Sequence, residues 1–170
     1  SAMREYDHLQ ALGRKDPTLL QKYTFLRASV LDSPEDPLHH FQLALFFSQQ
    51  GYDREALNRF ARVLQLSPED YHALNHLGSI LLRNKNPGEA LDFFDRALRL
   101  APDFAPALVN AGNASMLRRR PEAATAYYRR AVELAPGAAM VWHQLAQAYL
   151  ALNQPQEAER ALRSGLAAKG

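Results

Sequence analysis

The sequence predicts an all-α fold, a stack of short helical hairpins, and three observations carry that prediction. Alanine and leucine supply 28 and 27 of the 170 residues against eight glycines, a composition that favours helix over strand. Pro34, Pro68, Pro102 and Pro136 recur every 34 residues. A second proline series (Pro87, Pro121, Pro155) and an alanine series (Ala56, Ala90, Ala124, Ala158) keep the same step. Self-similarity at such a period marks an array of supersecondary units.

Cutting at this spacing gives units 37–70, 71–104, 105–138 and 139–170, the last just short of complete. Ser1-Ala2-Met3 reads as a cloning scar, and the rest of residues 1–36 as a degenerate or capping unit. There Ser33-Pro34-Glu35-Asp36 mirrors Ser67-Pro68-Glu69-Asp70, yet Lys22 falls where the alanine column would continue and Pro17 lies two residues before the expected proline.

Within each unit two helices are expected. Leu74, Leu77, Gly78 and Leu81 give the first its apolar spacing, and polar residues from Arg83 to Asn86 end it. Pro87, Pro121 and Pro155 then open the second helix, where proline's missing N–H costs no intrahelical bond. Asp53 holds that place in the first unit, where its carboxylate complements the helix dipole. Ala90, Leu91, Phe94, Ala97 and Leu98 form the buried stripe, and Pro102 stops the helix because the residue before a proline resists helical geometry. The last helix is expected from about Gln156 to Ala168.

Small residues let the paired helices touch. Ala44, Gly78, Gly112 and Ala146 face Ala56, Ala90 and Ala124, with Phe60, Phe94 and Tyr128 filling the space beside them. Gly112→Leu or Ala124→Leu is therefore expected to overpack the pair by ~1–3 kcal/mol. Asn75→Ala is expected to leave stability nearly unchanged. A hairpin this small cannot bury its apolar face alone, so successive units must share a continuous core.

These residues resemble the tetratricopeptide repeat family. Trp142, Leu145, Ala146, Tyr149 and Ala158 match the family pattern in the fourth unit, and Leu77, Gly78, Ala90, Phe94, Ala97 and Pro102 in the second. The departures are Ser115 for an aromatic, Val63 and Gly165 in a small-residue column, and Gly170 where a proline would fall. The resemblance covers residues 37–170 and implies a right-handed helical-repeat solenoid whose concave groove holds an extended peptide or a partner helix.

No catalytic signature accompanies the repeats: no glycine-rich phosphate loop, no His-Glu-x-x-His and no serine elbow. The absence of cysteine excludes disulfides, thiolate metal sites and cysteine nucleophiles. His72 and His76 stand at ligand spacing without a third partner and are read as solvated, while His39 and His40 receive no role. The expectation is a non-catalytic chain with neither metal nor cofactor.

Helical geometry selects the face of each first helix opposite its small-residue column as the acting surface. The groove candidates are Leu38, Phe41 and Leu45 in the first unit, and His72, Asn75 and Ser79 in the second. Val109, Asn110 and Asn113 follow in the third, and His143, Gln144 and Gln147 in the fourth. The amides can pair with a peptide backbone. The Lys and Arg set with which some family members clamp a terminal carboxylate is missing, its places held by Phe41, Leu45, His76, Pro106 and Asn110.

The whole chain carries +2, too little for a dedicated nucleic-acid or anionic-membrane binder. A local +3 in the third unit comes from Arg118, Arg119, Arg120, Arg129 and Arg130 against Glu122 and Glu133, a solvated turn in the first reading and a basic patch in the second. The expected partner is a protein or peptide, bound at micromolar strength, about −8 kcal/mol. Rival expectations are a repeat segment that positions another domain of a larger enzyme or of a bacterial secretion or envelope assembly, an RNA-reading helical repeat, and self-association. The cytoplasm is the expected compartment, with the periplasm as the alternative if a targeting segment has been removed.

Overall fold

The computed structural model describes residues 16–168, and the cloning-scar expectation lies outside them. They form nine helices, with no strand among the described residues. These are α1 Pro17–Asp32, α2 Pro37–Gln49, α3 Asp53–Leu66, α4 Tyr71–Arg83, α5 Pro87–Leu100, α6 Ala105–Leu117, α7 Pro121–Leu134, α8 Ala139–Ala151 and α9 Pro155–Ala167. The starts of α2, α4, α6 and α8 and those of α3, α5, α7 and α9 each advance by the repeat period. Packing divides the chain into two compact units between Ala73 and Leu74.

Both proline series act as expected. Pro87, Pro121 and Pro155 sit in the first turn of α5, α7 and α9. Pro34, Pro68, Pro102 and Pro136 occupy the second position of tight turns closed by Asp36 N–H to Ser33 O at 3.2 Å, Asp70 to Ser67 at 3.2 Å, Phe104 to Ala101 at 3.1 Å and Ala138 to Ala135 at 3.0 Å. Their fixed φ suits that place. Ala101, just before Pro102, leaves helical geometry at φ −134 and ψ 84, which ends α5.

A further series emerges at the hairpin bends. Gly51, Lys85, Arg119 and Asn153 lie one period apart and all have positive φ, from 57 to 79°. The N–H of each following residue (Tyr52, Asn86, Arg120, Gln154) reaches back to the carbonyl of Phe47, Leu81, Ser115 or Tyr149 at 2.9 Å. This left-handed helix stop satisfies carbonyls that the helix end leaves without partners. Only the first copy uses glycine, so three copies hold a side chain in a conformation that costs roughly 1–2 kcal/mol.

The first unit contains α1, α2 and α3. Asp16 caps α1, accepting from Thr18 N at 2.9 Å, and Asp36 caps α2, accepting from Leu38 N at 2.8 Å. Pro17 sits in the first turn of α1, the role that the second proline series has in α5, α7 and α9, but two residues ahead of that column. Tyr23, Leu26 and Val30 of α1 are buried, and the Tyr23 ring lies 6.1 and 6.0 Å from those of Phe46 and Phe47. Lys22, where the alanine column breaks, is exposed. Ala44 and Ala56 are fully buried where α2 crosses α3, beside Phe60 and Val63. Burying each such aromatic contributes ~1.5–3 kcal/mol.

The second unit contains most of α4 together with α5 to α9. Ala90, Phe94, Ala97, Ala107, Leu108, Ala111 and Ala124 are fully buried. Glycine is required where these helices cross: a Cβ on Gly78 would lie 2.5 Å from Phe94 Cε1, and one on Gly112 would run into the Tyr128 ring. Tyr127 donates to Asp95 Oδ1 at 2.6 Å and ties α7 to α5. In the last copy the core thins. Leu162 and Leu166 are 40% and 71% exposed, whereas Tyr128 and Val132, one period earlier, are 2% and 4% exposed.

Candidate groove of the second unit

The first helices α4, α6 and α8 bring the amide residues of the second unit into two hydrogen-bonded clusters. The Asn110 side-chain amide donates to Asn75 Oδ1 at 3.0 Å and to Ser79 Oγ at 3.1 Å. Ser79 Oγ donates in turn to the Asn75 carbonyl at 2.8 Å. One period on, Gln144 Nε2 donates to Asn113 Oδ1 at 2.8 Å. Ser79 to Asn110 and Asn113 to Gln144 are both 31 residues apart, so one bridge is made twice. A side chain from each later first helix reaches back to the helix before it.

Asn113 has a second tie within its own hairpin, because Tyr128 OH donates to the same Oδ1 at 2.7 Å. Burial pushes the Tyr128 phenol up to about 12, since the charged form would lose its hydration. The hydroxyl therefore stays a donor across ordinary pH.

These ties decide which polar atoms already have partners. Both N–H groups of the Asn110 amide are engaged, and Asn75 is only 6% exposed, so this pair holds α4 to α6. That argues against the expectation that Asn75→Ala would leave stability nearly unchanged: the substitution strips a part-buried bond from Asn110. Asn113 spends its carbonyl and keeps its two N–H donors, while Gln144 Oε1 is buried with no hydrogen-bond partner. Exposed His143 and Gln147 pair at 3.1 Å, one turn apart on α8. Val109 is half-buried among these polar residues.

The first-unit candidates differ in kind. Leu38 is 56% exposed at the start of α2, Leu45 is half-buried, and Phe41 meets Phe60 of α3 edge-on at 5.4 Å and 80°. His72 is exposed with its ring 4.2 Å from Tyr71. His40 is buried and its Nε2 lies 2.9 Å from the Pro34 carbonyl, the place at which Trp142 Nε1 donates to Pro136 O at 2.9 Å in the last copy. Both brace the turn that precedes their helix.

Arg118, Arg119 and Arg120 form the bend between α6 and α7. Their backbone N–H groups bond Ala114, Met116 and Ser115 carbonyls at 3.0, 2.9 and 2.9 Å. Arg130 instead donates to the Pro102 carbonyl at 2.7 Å. Among the described residues no group of three or more metal-ligating side chains comes together, and no helix is long and apolar enough to cross a membrane.

The residue that sequence reasoning missed is Tyr128, assigned to packing alone. Its signal was the one hydroxyl in the column Phe60, Phe94, Tyr128.

Models of the tetratricopeptide repeat match residues 47–105 and 115–170, together more than half of the chain. No curated protein matches it in sequence. Among solved structures, MamA of Desulfovibrio magneticus RS-1 superposes at TM-score 0.82 with 20% identity, covering 99% of this chain and 94% of that one. PilF of Pseudomonas aeruginosa gives 0.81 at 20%, covering 98% and 76%. YrrB, described as a TPR protein with an unusual peptide-binding site, gives 0.76 at 16%, covering 96% and 84%. At these identities the likeness is one of fold.

Proposed function

Since the chain belongs to the tetratricopeptide repeat family, we propose that it is a non-catalytic scaffold that holds an extended peptide segment of a protein partner along α6 and α8. The fold supports protein or peptide partners in general. The hydrogen-bond pattern of Asn113, Gln144, His143 and Gln147 carries the finer reading. Asn113 is held rigid by two bonds on its carbonyl and keeps two N–H donors, while exposed Gln147 on α8 engages its amide nitrogen with His143 and leaves its carbonyl as an acceptor. A donor and an acceptor on adjacent helices match the alternating carbonyl and N–H of an extended backbone.

The pre-bonded amides reduce what the protein loses in ordering, so affinity rests on the ligand's own loss of freedom. Val109 supplies apolar contact, and the Asn75–Ser79–Asn110 cluster acts as support that fixes α4 to α6. The proposed units remain the four repeats 37–70, 71–104, 105–138 and 139–170.

The test selects peptides from a random library against the folded chain and maps them by amide chemical-shift changes. Shifts should centre on Val109, Asn113, His143 and Gln147, and His143→Ala with Gln147→Ala, both exposed and bonded to each other, should weaken binding at least tenfold while the thermal midpoint stays within a few degrees. Binders that map elsewhere, or that ignore both substitutions, would remove these residues from the site.

A further inference from the structure

A second site follows from comparing two successive copies of the repeat on the side where the second helices meet the next pair. Between α5 and α7 the Tyr127 hydroxyl donates to Asp95 Oδ1 at 2.6 Å, and Leu108 and Ser115 of the intervening α6 are buried. One period on, the residues change together. Tyr127 gives way to Ala161, Asp95 to Arg129, Leu108 to Trp142 and Ser115 to Tyr149. The phenol is lost, the group that received it reverses its charge, and two walls become aromatic.

A cleft of 280 Å³ occurs at this place, lined by Arg129, Val132, Trp142, Leu145, Tyr149 and Ala161. Glu133, Glu157, Arg160 and Ser164 also line it. Val132, Leu145 and Ala161 are buried and form an apolar floor, while Trp142 and Tyr149 are half-buried at its sides. The volume falls below the roughly 300–1,000 Å³ of small-molecule pockets and suits a single inserted side chain. Aromatic walls favour an aromatic guest through stacked or edge-on contacts. The remaining charges balance, two glutamates against Arg160 and Arg129, but only Arg129 occupies the repeat position at which the Tyr127 hydroxyl is received.

We propose that this cleft between α7, α8 and α9 is a docking pocket for one aromatic side chain of a partner protein whose neighbouring residue is acidic. The ring takes the space left open beside Ala161, the residue one period after Tyr127, and lies against Trp142 and Tyr149 while the carboxylate meets the Arg129 guanidinium. The charge reversal from Asp95 to Arg129 sets this preference: the earlier copy needs a donor at that place and this one needs an anion. The pocket is separate from the amide residues of α6 and α8, so the two readings stand or fall independently.

Trp142 is the one tryptophan of the sequence, so its fluorescence reports on the pocket without a label. The probe is the capped tetrapeptide Gly-Phe-Asp-Gly, titrated beside Gly-Leu-Asp-Gly and Gly-Phe-Lys-Gly. The Phe-Asp peptide should give a saturable change at millimolar concentration, as befits a fragment, with the other two at least tenfold weaker. Ala161→Tyr should abolish the change by filling the slot, and Arg129→Asp should reverse the preference toward Phe-Lys. Combining Ala161→Tyr with Arg129→Asp rebuilds the Tyr127–Asp95 pair and should melt higher than either single variant, which also shows that the variants fold. No saturable response, an equal response from all three peptides, or an unchanged response in folded Ala161→Tyr would overturn the proposal.

Discussion

Replacing Gly112 with alanine should destabilise the chain even though alanine is the better helix former. Within an unstrained helix the change would gain up to ~1 kcal/mol. At Gly112 the new methyl group meets the Tyr128 ring, which is 2% exposed and enclosed. The ring has little freedom to retreat, because its hydroxyl is bonded to Asn113 Oδ1 at 2.7 Å, one residue along the same helix. Overpacking of this kind costs ~1–3 kcal/mol, and displacing the ring also endangers a hydrogen bond with a net contribution of ~0.5–1.5 kcal/mol. The clash outweighs the propensity gain, leaving a net loss of about 1–3 kcal/mol. For a chain of this size each kcal/mol lowers the melting midpoint by about 2–4 °C. The assay is thermal and urea unfolding followed by far-ultraviolet circular dichroism, with Gly88→Ala as control, since a Cβ there meets nothing within 4 Å. A Gly112→Ala chain that melts at or above the wild type would refute the close crossing of α6 and α7.

Arg119→Gly should raise stability by up to ~1 kcal/mol, because φ 57 is strained for arginine and free for glycine; a fall in the urea midpoint would count against the left-handed bend. Asn75→Ala should cost ~1 kcal/mol, as it removes the buried acceptor of the Asn110 amide, and a midpoint equal to wild type would mean the 3.0 Å bond contributes nothing. Stability should fall in alkali. Burial first, and then the bond to Asp95, raises the Tyr127 phenol, and burial raises Tyr128 to about 12, so the fold favours the protonated forms. That stability is fully present below the ordinary phenol value near 10 and is lost as pH rises toward 12. Urea midpoints measured across this interval should drop, and less steeply in Tyr128→Phe; a flat profile would contradict the buried hydroxyls.

Much of the architecture was legible because its signals are local. Pro87, Pro121 and Pro155 mark helix starts, Pro34 and its counterparts mark turns, and the alanine column marks the crossing, each through a backbone rule that acts over a few residues. The bends at Lys85, Arg119 and Asn153 escaped notice for the same reason. Only Gly51 carries the usual sign of positive φ, and the other three adopt it because the helix stop around them bonds the freed carbonyls.

The sequence by itself determined the period and the helix pairs, since these follow from the 34-residue step and helical geometry, and it placed the amides of α4, α6 and α8 on one face. Tertiary structure decided which amides on that face remain available. Whether Asn110 reaches Asn75 and Ser79, or Gln144 reaches Asn113, depends on how far one hairpin is turned against the next. A hydrogen bond tolerates only a few tenths of an ångström, and residue spacing does not encode that rotation.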